Sequence, residues 1–500
     1  MHALFYSLYL VCGLVLLVYG LHRLTLLWRA WKGRAPEPKP QGSLPQGEYP
    51  SVTVQLPIYN ERLVVERLLR SVASLDYPKD RLEIQVLDDS DDETSEVVAR
   101  LATELSQGGL RLVHLRRSQR KGYKAGALQE GLLRTQSELI AIFDADFVPP
   151  PHFLKLIVPY FEDPSVGMVQ ARWDFLNRSE ALLTRFQALF LDGHFLVEQP
   201  ARASMGVFLN FNGTAGVWRR KCIESAGGWC ADTLTEDLDL SYRAQFLGWK
   251  FLFLPHLAVP SELPYPMPAY RSQQHRWAKG AMQTAQKHLV TLLTGPFSLR
   301  VKLEGLFHLL SHAIHPFVAC IAFLNLWAAF SAEKASPFAQ PFIGSVFLAL
   351  ALCFFPPMGI LLAMRRSSLF GYVLLPFYAA ASLGMSLANT RSALEGLLDR
   401  RAVFIRTPKR GIEISGNPGR ALSLYSAPTP WVLPVVETLL GFIFLLASQE
   451  LLMKKWWLVL PTYLLHAFGF LYVGLLTLYW GVRQETDRRI ATALSKRKDR

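Results

Sequence analysis

VTVQLPIYNERLVVERLLRSVASLDYPKDRLEIQVLDDSDD, residues 52–92, decides the fold. Its opening VTVQLPI (52–58) and its later EIQVLD (83–88) are short apolar runs rich in branched side chains, the composition of buried strands. Between them, residues 62–75 place apolar side chains at helical spacing. The pattern continues downstream, with 94–105 reading as helix, RLVHL (111–115) as strand, 123–134 as helix and LIAIFD (139–144) as strand. Such alternation predicts an α/β domain with a mostly parallel sheet and helices on both faces. Ligands of these sheets bind beyond the carboxyl ends of the strands. Asp88, Asp89, Asp144 and Asp146 stand at those ends.

Outward from this region the composition splits. Residues from about Tyr49 to Leu299 mix charged and apolar side chains, whereas later stretches run for tens of residues with almost no charge. The 500-residue chain therefore reads as one sizeable soluble domain joined to a membrane region. A net charge of +13 raises nucleic acid as a partner, but Lys and Arg gather beside the apolar runs, where the positive-inside rule accounts for them. The lipid bilayer is the expected partner, and nucleic acid is not. The five cysteines form no CxxC pair and no ligand spacing, so neither a disulfide framework nor a zinc site is expected.

The first apolar run, Ala3 to Leu21, is followed by Arg23, Arg29, Lys32 and Arg34 and lacks a small-residue cleavage site. It reads as an uncleaved spanning helix with residues 22 onward in the cytoplasm. A Pro-, Gly- and Gln-rich linker ends at Pro50. Five apolar stretches come after the soluble domain: Gly305–Phe330, Phe338–Met364, Leu369–Asn389, Trp431–Gln449 and Trp456–Val482. If all five crossed, segments 391–420 and 483–500, each with seven Lys and Arg, would lie outside. Treating the third stretch as re-entrant, with Pro376 in its middle, returns both to the cytoplasm at the cost of Lys454 and Lys455 outside. The expected organisation is a transmembrane helix (1–28), a linker (29–50), a cytosolic domain (51–300), a membrane region (301–483) with about five spans in all, and a basic tail (484–500). Glu437, inside the fourth stretch, either faces a polar pathway or partner or reaches the interface.

Four short motifs carry the chemistry: LDDSDD (87–92), FDADF (143–147), TED (235–237) and QQHRW (273–277). Asp144 and Asp146, one residue apart after a buried strand, offer oxygen ligands that a hard divalent cation and a diphosphate can share. Turn carboxylates capping the next helix are the plainer reading of that pair alone. Asp237 supplies a carboxylate that can take a proton from an attacking hydroxyl, with Glu236 and Asp239 as alternatives. Arg276 can pair with phosphate bidentately, Gln273 donates hydrogen bonds, and Trp277 offers a flat face to a sugar or marks the membrane surface.

With KGYKAGAL (121–128), IAIFDADF (140–147), FNGTAGVWR (211–219) and TEDLDLSYRA (235–244) added, the chain resembles the processive family 2 glycosyltransferases of the cellulose synthase superfamily. Its motif wording is similar to the cellulose synthase-like branch that makes mannan, glucomannan and glucan backbones. The resemblance spans about Val52 to Gly411. It implies a GT-A-type nucleotide-sugar domain that transfers hexose from GDP-mannose or UDP-glucose to a growing β-linked, β-1,4 glycan chain and helps to export it. By the same resemblance Asp88 or Asp89, with Lys124, holds the nucleotide, and Asp144 and Asp146 hold the diphosphate with Mg or Mn. Asp237 is the base, Gln273 and Arg276 contact diphosphate, and Phe211, Asn212, Gly213 and Trp277 contact the acceptor. FIRTPK (404–409) resembles a gating loop, with Phe404, Arg406, Thr407 and Lys409 as its members. The chain shows no ring-type zinc domain and stops soon after its last helix, so control by a cyclic dinucleotide is not expected through it. A single helix before the domain suggests a homo-oligomer or export subunit, and the compact chain suggests a bacterial cytoplasmic membrane. QQHRW is also compatible with a transferase that glycosylates a lipid, and a non-catalytic scaffold would keep its function without Asp237.

Overall fold

The computed structural model describes residues 2–32, 49–331, 339–399, 409, 411 and 430–498. The expected linker falls largely outside these residues, as do Phe404, Arg406 and Thr407.

The apolar runs form the strands of one seven-stranded sheet: β1 (Val52–Ile58), β2 (Leu82–Asp88), β3 (Arg111–Arg116), β4 (Leu139–Ile142), β5 (Val166–Phe175), β6 (Gly216–Arg219) and β7 (Lys250–Ser261). Their order is β3-β2-β1-β4-β6-β5-β7. β1 pairs in parallel with β2 and β4, and β2 with β3. The crossovers are the helices Val65–Ala73, Thr94–Ser106 and Tyr123–Leu133. The first of these buries Val65, Leu68, Leu69 and Val72, its apolar stripe, against the sheet. Val52, Val54 and Leu56 of β1 are fully buried, and each such side chain contributes about 1.5–3 kcal/mol. The polar positions between them bond inside the core, Gln55 donating to Gln85 at 3.1 Å and Thr53 bonding Thr135 at 2.7 Å.

β6 is the exception to the parallel pattern, running antiparallel to β4 and β5. Ile142 at the end of β4 faces Gly216 at the start of β6. The residues that precede β6 therefore fall on the same sheet edge as those that follow β4. β5 and β7 pair in parallel, and they too end at that edge.

Among the described residues, four helices are long and apolar enough to cross a membrane: Ala3–Lys32, Gln340–Met364, Val432–Met453 and Leu460–Ile490. The expected crossing at Gly305–Phe330 is split into Leu299–Leu309 and His315–Phe330, the latter only 16 residues long. The third apolar stretch is divided into Leu369–Val373, Leu375–Gly384 and Ser386–Leu398, each shorter than the roughly 20 residues a crossing needs. Leu375–Gly384 packs along the last membrane helix, and Ser386–Leu398 along the helix Met267–Thr294 that carries QQHRW. Of its expected settings Glu437 takes the partnered one, away from the interface. Its carboxylate is fully buried and accepts from Nη1 of Arg271 at 2.5 Å, joining the QQHRW helix to Val432–Met453.

Candidate active site

The sheet edge, the helix Glu236–Phe246 and the QQHRW helix enclose a cleft of about 190 Å³. Asp89, Lys124, Asp144, Asp146, Asn212, Gly213, Glu236, Asp237, Gln273, Arg276 and Trp277 all line it, although they come from six separate parts of the chain. Lys409 lines it as well.

Asp88 and Phe211 do not line the cleft. Asp88 is almost fully buried at the end of β2, where Ser90, Ser95 and His114 bond its carboxylate, the last two at 2.6 and 2.8 Å. Burial alone would raise its pKa, but these bonds outweigh it and hold the carboxyl at about 2. Asp88 is thus built into the strand end, and its neighbour Asp89, clamped by the guanidinium of Arg117, is the one at the cleft. Phe211 is fully buried, edge-on to Trp218 beneath the turn that carries Asn212 and Gly213.

Charge is arranged around the carboxylates. Nζ of Lys124 donates to Asp144 Oδ1 at 2.5 Å and to the carbonyl of Gly213 at 2.9 Å, and it lies 4.0 Å from Glu236. Lys409 Nζ donates to Asp146 Oδ2 at 2.8 Å. Two hard-oxygen groups, each countered by an ammonium, suit a divalent cation, and the lysines mark where positive charge settles.

Asp237 sits in the first turn of its helix, its Oδ1 accepting from the amide of Leu238 at 2.8 Å. Burial, followed by the charge of Glu236, raises its carboxyl to about 7, with Lys124 opposing. Burial raises the Glu236 carboxyl too, so the two acids titrate as a pair. Asp239, the third acid of this turn, is absent from the cleft lining and is fully committed to His288, Arg243 and Lys287. A carboxyl raised in this way, as that of Asp237 is, suits the activation of a hydroxyl. The QQHRW helix presses against this turn because residue 280 is glycine: a Cβ there would stand 2.6 Å from Cγ2 of Thr235.

A second cavity, of about 570 Å³, opens on the membrane side among the helices His2–Lys32, His315–Phe330, Ala339–Met364, Leu375–Gly384 and Leu460–Lys498. Asn212, Asp237, Gln273 and Trp277 line both cavities. Glu437 lines neither.

Sequence reasoning overlooked Glu262 and Glu61. Glu262, just beyond β7, bonds Arg67 at 2.7 Å, and its backbone amide donates to Asp146 at 3.1 Å. Glu61 follows β1 and lines the cleft. The strand-end rule applied to β1, in the segment PIYNE (57–61), would have found Glu61. The strand that ends before Glu262, KFLFLPHLAVPS (250–261), is apolar in the sequence, but its pairing with β5, some eighty residues earlier, is not written there.

Residues 50–280 match the family described as glycosyltransferase like family 2. A probable glucomannan 4-beta-mannosyltransferase 7 of Oryza sativa subsp. japonica is 39% identical over 74% of this chain and 63% of its own length. A probable glucomannan 4-beta-mannosyltransferase 10 of Arabidopsis thaliana is 45% identical over 49% of this chain and 45% of its own. The chain thus spans about half to three fifths of the curated relatives it matches. Among solved structures, the mannosyltransferase PcManGT from Pyrobaculum calidifontis, in complex with GDP-Man and Mn2+, aligns with a TM-score of 0.51 at 22% identity, covering 79% of this chain and 100% of that one. At that identity the likeness concerns the fold. The chain belongs to the family 2 glycosyltransferases and is related to the cellulose synthase-like mannan and glucomannan synthases.

Proposed function

We propose that the chain transfers a hexose from GDP-mannose or UDP-glucose, with inversion, to the end of a β-1,4-linked glycan and helps to pass the product across the membrane. The observation that carries this reading is that Asp237 lines both the donor cleft and the membrane cavity. An acceptor end reaching Asp237 from the membrane side meets the donor there.

The acceptor hydroxyl gives its proton to Asp237 as its oxygen bonds to the anomeric carbon, and the bond from that carbon to the diphosphate breaks. A single displacement of this kind inverts the anomeric centre. Arg276 and Lys124 stand in the cleft where negative charge grows on the leaving diphosphate. Asp144 and Asp146 would hold a Mg or Mn ion, which when bound supplies further positive charge to the diphosphate. Trp277 offers its ring face, and Asn212 its amide, to the acceptor sugar. Lys409, already at Asp146, belongs to the segment proposed to cover the bound nucleotide.

The names of the relatives support mannose as the sugar. The basic segments flanking the membrane helices support a cytoplasmic catalytic domain.

The test uses the protein in nanodiscs with Mg or Mn and, separately, radiolabelled GDP-mannose and UDP-glucose, with products digested by β-mannanase or β-1,4-glucanase. A large product cut by one of these enzymes is expected. Label moving only into organic-soluble lipid would replace this reading with that of a glycolipid transferase.

A further inference from the structure

Asn212 stands at the junction of the two cavities, and its partners leave one orientation for its amide. The backbone carbonyl of Asn210 lies 3.0 Å from Nε2 of Gln199. A carbonyl only accepts, so the Gln199 atom there is the amide nitrogen. The second N–H of the same nitrogen is shared between Oδ1 of Asn210 at 3.2 Å and Oδ1 of Asn212 at 3.1 Å, and a nitrogen of Asn212 in that place would set two donors against each other. Nδ2 of Asn212 consequently faces its other neighbour, Nε2 of His194, at 2.9 Å. An amide nitrogen only donates, so Nε2 of His194 must accept, and the ring proton resides on Nδ1, 3.3 Å from the carboxylate of Glu198.

His194 opens the π-helical turn His194–Glu198, which interrupts an otherwise α-helical segment. Turns of this kind concentrate at functional sites. Here the turn lies along the membrane cavity, with His194, Glu198 and Arg202 in its wall. Arg202 is 3% exposed, and its Nε has no hydrogen-bond partner among the described residues.

A primary amide carries two N–H groups and two carbonyl lone pairs. Gln199 takes one lone pair of Asn212 and His194 one N–H, which leaves one donor and one acceptor on a side chain that lines both cavities. Adjacent hydroxyls of a sugar ring, each both donor and acceptor, match that pair.

We propose that His194 is a positioning residue: braced by Glu198, it locks the Asn212 amide in the orientation that binds the terminal sugar of a neutral glycan acceptor. The inference rests on the polysaccharide reading above and deepens it by assigning the group that orients the acceptor contact. Without the imidazole, the amide loses one of its two anchors and can turn away from the sugar.

The test follows elongation of β-1,4-mannohexaose with GDP-mannose, or of cellohexaose with UDP-glucose, measuring KM for acceptor and donor separately. His194→Ala should raise the acceptor KM about tenfold, the worth of one well-placed hydrogen bond, and leave the donor KM within about twofold. His194→Gln, whose side-chain oxygen can accept from Asn212, should recover most of the loss. Asn212→Ala in the His194→Ala background should add little further loss, as expected for residues acting as one unit. An unchanged acceptor KM in His194→Ala, full additivity with Asn212→Ala, or an equal rise in donor KM would overturn the assignment while wild-type elongation persists. A wild-type protein that releases nucleotide yet elongates neither oligosaccharide would overturn the polysaccharide reading and this inference with it.

Discussion

The backbone of Gly213 lies directly against the carboxylate of Asp237: a Cβ at position 213 would stand 2.9 Å from Oδ2. Gly213 also has a φ of 81°, a conformation that costs any other residue about 1–2 kcal/mol. The turn before β6 and the start of the catalytic helix therefore fit together only with glycine at this place.

Gly213→Ala should reduce kcat about 10²-fold, since a displacement near 1 Å of a reacting group has that effect. Donor affinity, measured by calorimetry with the intact nucleotide sugar, should change far less, because the substituted atom meets the base and not the strand-end carboxylates.

Activity should depend on the ionisation of Asp237. Its carboxyl, raised to about 7, must be deprotonated to act, so kcat/KM should rise with pH and level off above an apparent pKa near 7. Folding raises this acid's pKa, so the folded state holds the proton more tightly than the unfolded chain. The resulting stabilisation is present at low pH and lost as pH rises through about 7. Asp237→Asn should abolish transfer, yet show a higher Tm than wild type at pH 8, an advantage that shrinks as pH falls through about 7 and vanishes only below the ordinary carboxyl value of 3.8. A lower Tm at pH 8 would contradict the assigned shift.

Lys409 holds the oxygen of Asp146 that a divalent cation would take on the proposed reading. Lys409→Ala should tighten Mn binding about threefold to tenfold in the absence of donor, as expected for removing one nearby positive charge. Asp146→Asn should weaken it in titrations followed by electron paramagnetic resonance. Chelation with EDTA should stop transfer, and added Mn should restore it.

Arg271 and Glu437 form a buried ion pair between the QQHRW helix and a membrane helix. Glu437→Ala leaves a buried guanidinium uncompensated and should destabilise by about 3–5 kcal/mol. Replacing both, Arg271→Met with Glu437→Leu, should recover most of the Tm in nanodiscs. A double variant no better than the single one would mean that the pair holds more than its own two charges.

A last prediction concerns the membrane helices. A Cβ on Gly469 would stand 2.0 Å from the carbonyl oxygen of Ala380, so the helices Leu375–Gly384 and Leu460–Lys498 touch backbone to backbone. Gly469→Val should force them apart and lower both detergent stability and polymer yield, whereas Val at the open position Gly359 should do neither.

The sequence by itself determined the alternating strands and helices from Val52 to Ile142, the membrane helices, and the motifs now found in the cleft. These are local properties: the period of apolar side chains sets an element's type, and a strand end followed by carboxylates needs no distant partner to be recognised. LDDSDD was ambiguous for the same reason, since Asp88 and Asp89 are equivalent as letters and differ only in that His114 and Ser95 capture the first. The tertiary structure alone decided what depends on pairing across long separations. The antiparallel course of β6 brings Gly213 to Asp237, β7 brings Glu262 to Asp146, and the break near Met385 turns one apolar stretch toward both the membrane bundle and the QQHRW helix. Glu437 illustrates the limit most plainly. An acid within an apolar run announces that a partner exists, but only packing between two helices 166 residues apart names Arg271 as that partner.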